Sequence, residues 1–126
     1  MLNFRLEWPP TVNSYWRSVY ARAKGVKVLI SERGRKYKKL SHLMLLEQKV
    51  DRGIVGRVEV LIDAYPPDRR KRDLDNILKP LLDVMEDYGI FEDDEQVDIL
   101  IVRRRGKGGY VDVHVSEIDP EDSLTD

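Results

Sequence analysis

Residues 66–97 read PPDRRKRDLDNILKPLLDVMEDYGIFEDDEQV. Four cations, Arg69, Arg70, Lys71 and Arg72, run directly into two acids spaced i and i+2, Asp73 and Asp75. Lys79 follows, then an apolar segment, then a second acid cluster at residues 92–95. A hydrophobic core has no use for this arrangement. Pro80 constrains it further, because a proline well inside a helix costs about 3 kcal/mol. The helix that buries Ile77, Leu78, Leu81, Leu82, Val84, Met85 and Tyr88 is therefore expected to begin near Asn76–Ile77 and to stop at Gly89. On a continuous helix Asp73 and Asp75 would point about 200° apart. With a late helix start, Asp73 lies on the extended approach and Asp75 at the cap, where both can serve one site. From Asp75, Lys79 and Asp83 follow at one and two helical turns. Asp93 or Asp94 would return to them from beyond the helix.

Converging carboxylates repel, by roughly 4 kcal/mol per pair at 4 Å and an effective dielectric of 20. A hard divalent cation such as Mg²⁺, or Mn²⁺, offsets that repulsion and leaves positions for water and phosphate oxygens. Plainer explanations exist for each residue alone. Asp73 or Asp75 can be a helix cap, Asp75 and Lys79 a surface i,i+4 pair worth a few tenths of a kcal/mol, and Asp93-Asp94 a solvated turn. Their joint occurrence beside a four-cation run points instead to metal-assisted phosphoester chemistry.

The rest of the chain reads as scaffold and grip. Residues 2–7 alternate as a strand that Trp8-Pro9-Pro10 ends. Asn13 and Arg17 sit among aromatics in an expected loop and suit hydrogen bonding to phosphate. Residues 18–30 show no clean period and are expected to form a mobile basic loop. Ser31 caps a helix to about Val50, with Tyr37, Leu40, Leu43 and Met44 on its apolar face and five cations between Arg33 and Lys39. Strands are expected over 55–65, 96–104 and 110–116, the last two joined at Gly106-Lys107-Gly108-Gly109. The order strand, helix, strand, helix, strand, strand predicts an α+β domain over residues 1–118, with a mixed sheet and helices packed on it. Residues 119–126 are expected to be a disordered acidic tail.

The absence of cysteine excludes disulfide, zinc-thiolate and thiol-nucleophile chemistry. No apolar run approaches membrane-spanning length, and the N-terminus lacks a signal-peptide plan, so no membrane partner and a cytoplasmic location are expected. The net charge of -1 hides an asymmetry, since residues 1–116 carry 22 bases against 18 acids. Bases cluster at 33–39, 69–72 and 103–107, and local clusters of this kind make an anion-binding surface.

Arg72-Asp73-Leu74-Asp75-Asn76, Lys79, Asp83, Gly89 and Asp93-Asp94-x-Gln96-Val97 together resemble the RusA-type Holliday junction resolvases, small endodeoxyribonucleases common in prophages. Trp8-Pro9-Pro10 with Asn13 and Arg17, and Lys107-Gly108-Gly109, extend the resemblance over nearly the whole chain apart from the tail. The resemblance implies a Mg²⁺-dependent homodimer that binds four-way DNA junctions and resolves them by paired symmetric nicks in recombination and repair. It implies Asp73, Asp75 and Asp94 as catalytic metal ligands and Lys79 as the essential lysine. Asp83 and Asp93 are supporting acids, and Arg72 lies in the basic approach to DNA. With it, Asn13, Arg17, Arg69, Arg70, Lys71 and Lys107 are the expected DNA contacts. Two other readings stand beside this one: a non-catalytic branched-DNA-binding module, and a nuclease acting on other branched DNA.

Overall fold

The computed structural model describes residues 1–21 and 25–122. Its strands are β1 (Leu2–Glu7), β2 (Trp16–Ala21), β3 (Gly25–Ile30), β4 (Val58–Tyr65), β5 (Val97–Arg104) and β6 (Tyr110–Glu117). Its helices are α1 (Val12–Tyr15), α2 (Glu32–Glu47) and α3 (Leu78–Tyr88), with 3₁₀ turns at Leu74–Ile77, Asp94–Gln96 and Pro120–Asp122. Alternation along the strands builds one apolar face: Phe4 and Leu6, then Val58, Val60, Ile62 and Ala64, then Val111, Val113 and Val115 are all buried. These strands form a sheet of order β1-β6-β4-β5, in which only the β4–β5 pair is parallel. A parallel pair needs a crossover, and α3 provides it. Ile77, Leu81, Val84, Met85 and Tyr88 from that segment complete the core. The domain is therefore α+β with a mixed sheet, as the sequence predicts.

The late helix start is as expected, but Asp75 lies inside the turn that precedes α3 rather than at its cap, which Ile77 occupies. Asp73 is extended (φ -91°, ψ 133°), a 3₁₀ turn spans Leu74–Ile77, and α3 begins at Leu78. Pro80 then falls in the first turn of α3, where backbone N–H groups have no intrahelical partner to lose. Gly89 closes α3 in the left-handed conformation (φ 94°), and its N–H bonds back to Met85 and Glu86.

Two expectations are corrected. The loop expected over 13–30 is a short helix, α1, followed by the antiparallel hairpin β2–β3, paired from Trp16↔Ile30 to Ala21↔Gly25. Residues 22–24 at its tip lie outside the described residues. The second correction concerns α2, whose buried stripe is Gly34, Tyr37, Ser41 and Leu45. Leu40 and Leu43 are 42% and 55% exposed. The reason is close approach: a Cβ at Gly34 would sit 2.2 Å from the Tyr15 carbonyl oxygen. Small residues let α2 seat against α1, and that contact, rather than the count of leucines, chooses the buried stripe. Ser31 caps α2 as expected, accepting from the Gly34 N–H at 2.9 Å, and its hydroxyl also donates to the Ser14 and Tyr15 carbonyls. The acidic tail begins with the Pro120–Asp122 turn, and residues 123–126 lie outside the described residues.

Candidate active site

The cations and the first acids leave the end of β4 together. Gly108 and Gly109 donate their N–H groups to the Pro66 and Tyr65 carbonyls at 2.8 and 2.6 Å. This tie folds the β5–β6 turn, with Lys107, against the loop that starts at Pro66. Arg69, Arg70, Lys71, Arg72 and Asp73 consequently share a cavity of about 430 Å³ with Arg104, Arg105 and Lys107. Within the loop, Asp68 serves as an internal anchor. It accepts from Arg72 Nη1 at 2.5 Å and from the Arg70 N–H at 2.9 Å. The Arg72 guanidinium holds the Asp68 carboxyl well below the usual carboxylate range. Arg72 also supports the loop from the other side, its carbonyl accepting from Arg104.

Asp73, Asp75 and Lys79 behave differently. All three side chains are exposed. Asp73 occupies the cap position of the 3₁₀ turn yet makes no side-chain cap hydrogen bond. No ion pair joins Asp75 to Lys79, and neither has another charged partner among the described residues. The structural explanations for these residues, a cap and a surface pair, are therefore removed.

The second acid cluster is rigidly held. Gln96 is buried, and its Oε1 accepts from the Glu92 and Asp93 N–H groups at 3.0 and 3.2 Å. Its Nε2 donates to the Ile54, Val55 and Gly56 carbonyls at 2.9–3.1 Å. Asp93 caps the turn by accepting from the Glu95 N–H at 2.9 Å, which closes a capping box with Gln96. Arg57 grips the same turn through the Glu95 carboxylate at 3.0 Å and Asp98 at 2.7 Å. Glu86 of α3 accepts from the Asp94 N–H at 2.9 Å. As a result, carboxylate oxygens of Glu86, Asp93 and Asp94 lie within 4.8 Å of one another, a grouping unique among the described residues. Asp94 is an expected ligand and belongs to this group; Asp73 and Asp75 do not. The donor set is all hard oxygen and suits Mg²⁺ or Mn²⁺.

Asp83 sits elsewhere. It accepts from the Tyr15 hydroxyl at 2.5 Å and pairs with Lys38 at 3.2 Å, tying α3 to α1 and α2. Burial pushes the Tyr15 phenol far up, and the neighbouring Asp83 adds to the shift, so the phenol stays a donor. Asn13 and Arg17 line a separate cleft of about 410 Å³ at the foot of the hairpin.

Sequence reasoning passed over several residues here. Glu86 lies three residues after Asp83 and seven after Lys79, a helical spacing that would have flagged it. Arg33 joins Arg70, Lys71 and Arg72 around a cavity of about 570 Å³, and only α1 and α2 packing brings it there. Arg104 and Arg105 were legible as part of a basic cluster but not as neighbours of the 69–72 loop.

Residues 7–116 match the family described as endodeoxyribonuclease RusA. Three curated relatives span 92% of this chain and 94% of their own length. The crossover junction endodeoxyribonuclease rusA of Enterobacteria phage HK97 is 39% identical. Enzymes of the same name from Shigella sonnei and Enterobacteria phage 82 are each 33% identical. The family match and these relatives define a DNA-hydrolysing enzyme of the endonuclease class. The chain belongs to the RusA family of endodeoxyribonucleases.

Proposed function

We propose that this chain resolves four-way DNA junctions as a homodimer, with Asp73, Asp75 and Asp94 holding Mg²⁺ and Lys79 acting on the scissile phosphodiester. The observation that carries this reading is that Asp73, Asp75 and Lys79 are exposed and unpartnered among the described residues, with Asp73 lining a cavity shared by seven cations. A protein that merely bound DNA would gain nothing from bare carboxylates next to phosphate, and this disfavours the non-catalytic alternative. Glu86 and Asp93 bring further carboxylates to Asp94. When bound, the divalent ion would lower the pKa of water and stabilise charge developing on the phosphodiester.

The remaining work falls to the chain itself. Arg69, Arg70, Lys71 and Lys107 draw the DNA backbone in by counterion release. Arg72, fixed by Asp68, presents its guanidinium at a set position, so less entropy is lost when phosphate arrives. Lys79 donates to a non-bridging or leaving oxygen of the phosphodiester. Gln96 and Arg57 keep the acid turn in place while DNA binds. Asn13 and Arg17 extend the grip toward the hairpin. A two-fold dimer would mirror the near two-fold symmetry of a junction and so place one site on each of two strands. The setting proposed for this activity is cytoplasmic recombination and repair; no described helix is long and apolar enough to cross a membrane.

The test is a cleavage assay on a labelled four-way junction and on linear duplexes of its arms, each with Mg²⁺ and with EDTA. Symmetric nicking of the junction alone, abolished by EDTA, is the expected result. Equal cutting of flaps and junctions would favour a general branched-DNA nuclease. Binding without cutting in Mg²⁺ or Mn²⁺ would leave a DNA-binding module.

A further inference from the structure

Three cavities of about 570, 430 and 280 Å³ meet at one side chain, Trp8, and Lys71 and Arg72 line all three. The smallest is the most informative, because Asp73 and Asn76 line it together with Trp8. Trp8 is only partly buried. Its side chain packs against the core, its main-chain N–H donates to the Gly109 carbonyl at 3.1 Å, and two prolines follow it, so the backbone that carries the ring is held in place. The Arg72 guanidinium lies 5.9 Å from the ring centroid, and its pairing with Asp68 holds it there. Asn76 uses its backbone N–H on the Asp73 carbonyl at 3.2 Å. Its side-chain amide has no hydrogen-bond partner among the described residues. The cleft therefore offers a preset aromatic plane, an uncommitted amide with both donor and acceptor, and cations at its mouth, next to a carboxylate proposed for catalysis.

We infer that this cleft receives a single unstacked nucleobase next to the scissile phosphate, stacked on Trp8 and hydrogen-bonded through its edge by Asn76. The inference rests on the junction-cleaving function proposed above and adds a base-reading subsite to it. Each part of the cleft matches one part of a nucleotide. The indole suits the π-face that every base has. An amide that donates and accepts can distinguish base edges, as Asn does with adenine. Lys71 and Arg72 suit the flanking phosphates. The cost of taking a base out of the stack is smallest where stacking is already interrupted, and a branch point interrupts it. The subsite would thus favour branched over continuous duplex DNA while imposing a base preference at the cut.

The test uses the full chain and four-way junctions carrying an abasic nucleotide at each position around the crossover in turn. Binding is measured in EDTA, and cleavage of the unmodified junction in Mg²⁺ runs alongside. With the wild type, one abasic position is expected to weaken binding roughly tenfold. Trp8→Leu, which keeps the apolar packing but removes the stacking plane, should weaken the intact junction by a similar factor. Combining it with that abasic position should give no further loss. Trp8→Phe should recover most of the affinity, and melting curves verify that each variant is folded. Asn76→Ala should bring the kcat/KM values for the four bases at that position toward equality. Additive losses for Trp8→Leu and the abasic site, or base preferences unchanged in Asn76→Ala, would overturn the subsite while wild-type cutting left the junction-cleaving function intact. A wild type that neither binds nor cuts any junction would overturn both.

Discussion

Asp63 and Asp75 show two uses of the same side chain. Asp63 lies on β4 and is buried, yet Arg103 and Arg105 donate to it at 2.8 and 3.0 Å, and His114 stands 3.7 Å away. Asp75 lies on the surface, in the turn before α3, and makes no ion pair among the described residues. The charge at Asp63 is neutralised within the fold and links β4 to β5. The charge at Asp75 is left for something outside it. Proximity to cations does not distinguish the two, since both lie near arginine-rich segments. Whether the chain itself supplies the partner does, and the substitutions below probe that difference.

After Asp75 itself, the largest effect is expected at Lys79, which shares its exposed, unpaired state. Lys79→Met should lower kcat for junction cleavage by about 10²–10³-fold, the usual loss when one donor to developing charge is removed. Its melting temperature should stay near that of the wild type, as for other surface substitutions. Gln96→Leu should act on both sides of the comparison. It strands backbone groups at Ile54–Gly56 and at Glu92–Asp93, costing about 1–3 kcal/mol in denaturant unfolding. It should also raise the Mg²⁺ concentration needed for half-maximal cleavage, because Asp94 loses its support.

Asp63→Asn should reverse the pattern seen at Lys79. We expect the melting temperature to fall by roughly 4–8 °C, with cleavage by the folded fraction unchanged. The same residue sets a pH dependence. Arg103 above all, with Arg105, lowers the Asp63 carboxyl below its ordinary value. Its stabilising contribution is therefore complete above about pH 4 and is lost as pH falls through the lowered value. Acid unfolding curves of wild type and Asp63→Asn should converge at low pH and separate above pH 4. The smallest effect is expected at Lys107. Lys107→Ala should weaken junction binding alike for all sequences and reduce the slope of log affinity on log salt by about one.

How much of this was legible in the sequence followed the range of the interactions. Local signals were dependable. Pro80 gave the late start of α3, Gly89 its end, Ser31 the cap of α2, and strand alternation the sheet. Spacing and residue type also singled out Asp73, Asp75 and Lys79. Nothing in the sequence said that Asp83 would be taken by Tyr15 and Lys38, because that contact spans 68 residues between its acid and its phenol. The hairpin at 16–30 was missed because its polar residues blur the period of two, although Val26, Val28 and Ile30 carried it. The outward-facing leucines of α2 misled for a related reason: a helix chooses its buried stripe by fit to a neighbour, and Gly34 against Tyr15 decided it. Gln96 was visible only as part of a motif. Its role emerged when the fold brought residues 54–56 alongside the acid turn.

The most direct test of the central claim is to compare wild type and Asp75→Asn for cleavage of a four-way junction in Mg²⁺, for junction binding in EDTA, and for thermal unfolding. If Asp75 holds the metal, cleavage is abolished, binding is kept or tightened as one negative charge leaves the phosphate site, and the melting temperature is unchanged. Cleavage at the wild-type rate would contradict the claim, as would loss of cleavage accompanied by an equal loss of folded protein.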